Sequence, residues 1–183
     1  MNPDNEMLVE AASRSLTFRA FAEAFRKPNG GAEIFDENVI PPPTAESNVA
    51  FVTAFDPAVS DQACSLYEGN YGTRERTALF EELVRWYDLF GLRREEEAEL
   101  PDHISVQLEF MHFLTFLEGK HGREPETKQS LRKAQNDFLE RHLIPFSTRL
   151  HEAFQSDDPR CKALVEHLQA FLESDKAMIG ACP

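Results

Sequence analysis

The segment PDHISVQLEFMHFLTFLEG, Pro101 to Gly119, decides how this chain folds. Ile104, Val106, Leu108, Phe110, Met111, Phe113, Leu114, Phe116 and Leu117 leave a helix here with little polar surface. Such a helix belongs at the centre of a protein, because no face of it is suited to water. Pro101-Asp102 opens it; Asp102 is a capping residue type, and His103 in the first turn is expected to be exposed.

The segments on either side read as further helices. Asn5 to Lys27 places Leu8, Ala11, Ala12, Leu16, Ala20, Phe21, Ala24 and Phe25 near helical spacing, and Pro28-Asn29-Gly30-Gly31 ends it. Thr73 can cap a helix to Phe90 whose apolar face is Leu79, Phe80, Leu83, Val84, Trp86, Tyr87 and Phe90, with Gly91 as the stop. After Pro125, Leu131, Ala134, Phe138 and Leu139 point inward. Pro145 kinks or breaks that helix, and Phe146, Leu150 and Phe154 continue beyond it. Asp157-Asp158-Pro159 is a helix start, followed by Cys161, Leu164, Val165, Leu168, Phe171 and Leu172. Residues 30–72 are loop-rich and contain Pro41-Pro42-Pro43, with room for a short helix over Ala45 to Phe55. No sustained period-two alternation or hairpin signal occurs. The expectation is an all-α fold of roughly six or seven helices or more, one domain over 1–183, with a disordered tail over 174–183.

Composition narrows the function. The 183 residues carry 32 acids against 19 bases, a net charge of −13, so phosphate backbones and anionic membrane surfaces are poor partners. No apolar run approaches the ~20 residues of a spanning helix, and no basic-then-apolar leader begins the chain. Cys64, Cys161 and Cys182 are widely spaced without a CxxC pair, which fits a reduced cytoplasmic compartment. Fifteen Phe stand against three Tyr and one Trp, and most of the Phe fall on inward helix faces.

Enzyme chemistry is weakly encoded. Glu109 to His112 and Glu118 to His121 are Glu-x-x-His pairs, the spacing that aims two ligands at one metal. At ~100° per residue the two pairs are about half a turn out of phase on one helix. A metalloenzyme using Glu109 and His112 is therefore an alternative, as is a helical scaffold for an unrelated partner. Cys64 lacks a base assignable from sequence. No phosphate-cradling glycine motif is present. The acidic run from Glu95 reads as a solvated loop face, and Arg93-Arg94 lacks the apolar tract of an export signal.

Four short segments occur in a distinctive order: Cys64-Ser65-Leu66-Tyr67-Glu68-Gly69-Asn70-Tyr71; Pro101-Asp102-His103-Ile104; Leu108-Glu109-Phe110-Met111; and Phe138-Leu139-Glu140-Arg141-His142-Leu143-Ile144-Pro145-Phe146. Together they resemble the TorD/DmsD/NarJ family of redox-enzyme maturation chaperones, in the branch serving type II members of the dimethyl-sulfoxide-reductase family. The resemblance implies a cytoplasmic all-α protein with no reaction and no cofactor of its own. It implies binding to the twin-arginine signal peptide and apo catalytic subunit of a molybdenum oxidoreductase. The chaperone assists molybdopterin insertion and delays export until the subunit is folded; cofactor-delivery proteins are an open further partner. Matched by motif, the peptide surface is Tyr67, Glu68 and Tyr71, then Pro101, Asp102 and His103, then His142 and Pro145. The sequence departs from the family at Phe146, commonly Trp, and at Ser65-Leu66, usually Pro-Pro. Phe51-Val52-Thr53-Ala54-Phe55 replaces an expected Tyr-x-x-Leu-Phe stretch. The negative charge suits a basic leader, with Glu68 and Asp102 as candidate acceptors for arginine.

Overall fold

A computed structural model describes residues 3–72, 74–93, 98–121 and 123–180, with side chains from Val9 onward. Thr73, the Leu8 side chain, the run 94–97 and Cys182 lie outside the described residues. The helices are α1 (Pro3–Arg26), α2 (Ala45–Phe55), α3 (Arg76–Leu89), α4 (Ile104–His121), α5 (Pro125–Phe138), α6 (Ile144–Ala153) and α7 (Pro159–Gly180). No strand occurs among the described residues. The all-α expectation holds.

Helix α4 is central. It lies along α1, with Ala11 beside Gly119 and Ser15 beside His112, and it also packs on α5. Ile104, Leu108, Phe110, Met111 and Leu114 are buried on it. Phe110 is the hub of an aromatic cluster, with Tyr87, Phe90 and Phe138 rings edge-on at 5.1, 5.6 and 4.8 Å. A second aromatic series joins α1 to its neighbours. Phe18 and Phe21 meet Phe171 of α7, and Phe25 meets Phe55 of α2. Edge-to-face pairs of this kind add to the area they bury, which is where the abundant Phe is used.

Four residues placed inward by periodicity face solvent: Ala12 is exposed, and Leu16 is 51% exposed, Val84 41% and Phe116 52%. A two-helix contact covers only part of each circumference, so the stripe opposite stays open. Glu75, not Thr73, is the described cap of α3, accepting from the Ala78 N–H at 3.0 Å. The expected tail from 174 continues α7 as far as Gly180, with Asp175 and Ile179 buried.

The proline-containing segment is packed. Buried Arg160 donates to the carbonyls of Pro28, Gly30 and Pro41, at 3.2, 2.9 and 2.6 Å, and so pins both ends of the turn region. Gly30 and Gly31 permit this close return of the chain. A Cβ on Gly30 would stand 1.8 Å from the Glu23 carbonyl oxygen; on Gly31, at φ +67°, it would stand 2.3 Å from that of Ala20. These obstacles are backbone and cannot rotate away. Gly30→Ala is therefore expected to cost more than about 2 kcal/mol, read as a lower urea midpoint.

A buried ionic cluster ties α1, α4, α5 and α7 together. Arg14 meets Glu118, Asp175 and Gln135, and Arg132 meets Glu118 at 2.6 Å. Glu118 is thereby occupied by two guanidinium groups. Glu109 pairs with Arg26, and the His112 ring lies 2.8 Å from the Ser15 hydroxyl. Among the described residues no group of three or more His, Cys, Asp or Glu side chains is placed to hold a metal ion.

Candidate functional site

The candidate site forms where two loops meet across the start of α4. The segment before α3 and the segment before α4 fasten to each other by backbone: Tyr67 bridges His103 antiparallel, Glu68 N–H donates to the Asp102 carbonyl, and Ile104 N–H donates to that of Leu66. Glu68–Asn70 then turns once as a 3-10 helix. The Asp102 carboxylate accepts the Gly69 N–H at 3.1 Å, so Asp102 closes this turn rather than capping α4. A Cβ at position 69 would stand 3.0 Å from the same oxygen, which explains the glycine. The cap of α4 is instead His103, whose Nδ1 accepts the Ser105 N–H at 3.2 Å. His103 is buried, contrary to the exposed position expected of it. Burial lowers its pKa to about 4, with Glu99 opposing and Arg26 assisting.

The third motif arrives through a π-helical turn, Leu139–Leu143, between α5 and α6. Pro145 has no N–H to close an ordinary helical ring, so the backbone takes a wider one. The Ile144 N–H reaches back to the Leu139 carbonyl. The extra residue turns His142 fully inward. Its Nδ1–H lies 3.2 Å from both Glu68 oxygens, and its Nε2 lies 3.5 Å from Glu82. The freed-carbonyl role expected for His142 is taken by these carboxylates. Glu68 also accepts from Gln107 of α4 at 2.7 Å.

All eight residues singled out by motif are thus brought into one region. The Tyr67 ring stands edge-on to His103 at 4.9 Å, and its hydroxyl donates to Glu99 at 2.8 Å. Burial and that carboxylate push the phenol up to about 12. The Tyr71 ring packs at 5.5 Å on Phe146, next to Pro145, and its hydroxyl donates to the Ser65 carbonyl. Pro101 is held by the Tyr87 hydroxyl at 2.8 Å. Asp102 is fully buried and its pKa is raised, chiefly by burial. Neither Asp102 nor Glu68 presents a free fork to an incoming arginine, which corrects the acceptor role expected of them.

Two cavities flank this junction. One, of about 660 Å³, lies between α3 and α4, with Tyr87, Pro101, Val106 and Phe110 in its wall and Asp88, Glu99 and Glu109 as its acids beside Arg26 and Arg93. The other, of about 370 Å³, opens by Tyr71, Pro145 and Phe146. A depression over α2, beside Val49 and Val52, is remote from both. Sequence reasoning missed Gln107, Glu82, Tyr87 and Glu99. Only Gln107 carried a signal, a lone amide on the buried side of an apolar helix.

A helical chain whose ordered motifs converge on one junction between α3, α4 and the π-turn has the organisation of a binding protein. The family model described as nitrate reductase delta subunit matches residues 19–152. The chain belongs to that family, the same one its motifs resemble. Among curated relatives, a selenate reductase assembly chaperone protein from Thauera selenatis is 26% identical over 182 residues, covering 96% of this chain and 94% of the relative. A perchlorate reductase assembly chaperone protein from Dechloromonas aromatica (strain RCB) is 35% identical over 122 residues, 63% of this chain and 54% of the relative. A chlorate reductase assembly chaperone protein from Ideonella dechloratans is 23% identical over 185 residues, 98% and 96% of the two chains.

Proposed function

We propose that this chain is a cytoplasmic assembly chaperone for the catalytic subunit of a molybdenum oxidoreductase, and that it binds the subunit's twin-arginine signal peptide. It catalyses no reaction. It holds the apo subunit while molybdopterin is inserted and delays export until folding is complete. The observation that carries this reading is the 660 Å³ cavity beside the junction, which Pro101 lines and whose Glu99 accepts the Tyr67 hydroxyl. A twin-arginine leader is basic, then apolar. The apolar part fits the wall formed by Val106, Phe110 and Phe113, and the guanidinium groups fit Asp88, together with Glu99 and Glu109, where they compete with Tyr67 and Arg26. Pro101 forms part of this wall, Tyr67, Asp102, His103 and His142 support the junction, and Glu68, Tyr71 and Pro145 line the second cavity on its other side. The overall charge of −13 speeds the encounter with such a ligand.

Calorimetry at low salt with a twin-arginine leader peptide of a molybdenum oxidoreductase tests the reading. Saturable binding that weakens with salt is expected. Glu99→Gln combined with Glu109→Gln should weaken it by about fivefold, close to 1 kcal/mol. Absence of binding at low salt by a properly folded sample would refute the peptide role.

A further inference from the structure

Helix α2 is buried on one side only. Phe51, Ala54 and Phe55 point into the core, with the Phe55 ring against Phe25 and Phe154, and the helix packs on α7. Its opposite side presents Val49, 68% exposed, and Val52, and the turn that follows adds Val59. With Pro28, just after α1, these valines line a groove of about 510 Å³. Its walls are fixed in place. Arg160 holds the Pro28 carbonyl on one side and the Pro41 carbonyl ahead of α2 on the other. Thr44 and Ser47 cap the first turn of α2 reciprocally, and the Val59 N–H donates to the Asp56 carbonyl. Exposed β-branched side chains on a groove that is already formed favour an apolar guest, because little ordering is left to be done on binding.

The charge around this groove is one-sided. From Pro28 to Thr73 the sequence holds seven acids and no Lys, Arg or His. Glu33, Asp36, Glu37, Glu46, Asp56 and Asp61 are exposed, and none of these six makes an ion pair among the described residues. Helical spacing puts Glu46 on the same face as Val49 and Thr53, and Asp56 follows one turn beyond Val52, so an acid stands at each end of the valine strip. A second copy of this chain would bring the same acids to the groove and be repelled.

We propose that this groove docks a basic amphipathic helix of a partner protein, with apolar residues at i, i+3 and i+4 spacing and Lys or Arg at both ends. The strip from Glu46 to Asp56 spans about 15 Å, the length of roughly ten helical residues. The valines receive the apolar face of the guest, and the acids receive the charges at its ends. A twin-arginine leader matches less well, because its bases all precede its apolar run and only one end of the groove would be used. The groove and the leader cavity share no lining residue, so this contact is additional to the leader.

Fluorescence anisotropy on the full chain at low salt tests the assignment. The probe is a labelled peptide of about 14 residues, with Leu at i, i+3, i+4 and i+7 and Lys at both ends. A scrambled isomer of the same composition, without an apolar face, is the comparison. Saturable binding of the amphipathic peptide is expected, with the scrambled isomer at least about tenfold weaker. Val49→Lys sets a base on the exposed strip without touching the core, and should weaken binding by about tenfold. Val9→Lys, the same change at an exposed position near the start of α1, should leave it unchanged. Glu46→Gln with Asp56→Asn should weaken binding by about threefold, a loss that shrinks as salt is added. Glu99→Gln with Glu109→Gln should have no effect. Absence of saturable binding at high micromolar peptide overturns the assignment, as does equal binding of the scrambled isomer or unchanged affinity in Val49→Lys. Loss of binding in the Glu99→Gln, Glu109→Gln variant places the peptide in the leader cavity and overturns it as well. A leader peptide that fails to bind leaves all of these outcomes unaffected.

Discussion

Replacing Glu118 with alanine destabilises the protein by about 3–5 kcal/mol, the cost of stranding buried charge. Glu118 is 2% exposed and accepts from Arg14 at 2.8 Å, Arg132 at 2.6 Å and Gln135 at 3.0 Å. Its removal leaves two guanidinium groups in the interior with Asp175 and the half-exposed Glu10 as the remaining carboxylates. Burial alone would raise the Glu118 pKa, yet the arginine and glutamine partners hold it below the ordinary value. For a chain of this length the thermal midpoint should fall on the order of 10 °C. Urea denaturation of Glu118→Ala and Glu118→Gln checks this. The glutamine keeps one acceptor and should lose less than the alanine; a glutamine variant as stable as the native protein would show that the charge is not what matters. The cluster joins four helices, so its value lies in fixing their relative positions as well as in free energy.

The second large effect is a loss of stability on acidification that traces to His103. Its pKa is lowered from 6.5 to about 4, chiefly by burial. The folded imidazole therefore stays neutral in a range where the unfolded chain takes up a proton. The contribution is complete above pH 6.5 and is lost as pH falls toward 4. The full window is worth on the order of 3 kcal/mol. His103→Gln removes the proton uptake and can keep an acceptor for the Ser105 N–H. Urea midpoints between pH 7.5 and 4.5 should fall more steeply for the native protein than for His103→Gln. Asp102 acts in the other direction, because its raised pKa lets the folded state gain a proton first. That term is common to both proteins, so parallel curves would refute the role of His103. Its ring caps α4 and supports Tyr67, so acid weakens the candidate site itself and not a distant part of the fold.

The helices were legible because their signals are local. Pro28 to Gly31, Gly91, Asp158-Pro159 and the apolar spacing of Asn5 to Lys27 set ends and faces without reference to distant residues. The motif residues were legible as a group, since Tyr67, His103 and His142 stand in short segments whose order resembles that of the family. Their orientation was not. Whether Asp102 caps the helix ahead of it or the turn behind it depends on a loop 33 positions away. His142 points inward because a proline forces a π-turn and because Glu68, 74 positions away, receives it.

The sequence by itself determined an all-helical chain with a central Pro101-to-Gly119 segment, because periodicity, capping types and proline positions act within a few residues, and the resemblance of its motifs to the family pointed to eight of the residues at the junction. Only the tertiary structure decided which polar groups are paired. Arg14 and Asp175 are separated by 161 positions and Arg149 and Tyr71 by 78, and no local rule links them. It also decided that one side of the junction sets three acids and two arginines beside an apolar wall and the other three arginines beside Glu68, because charge at a surface depends on which elements fold beside each other.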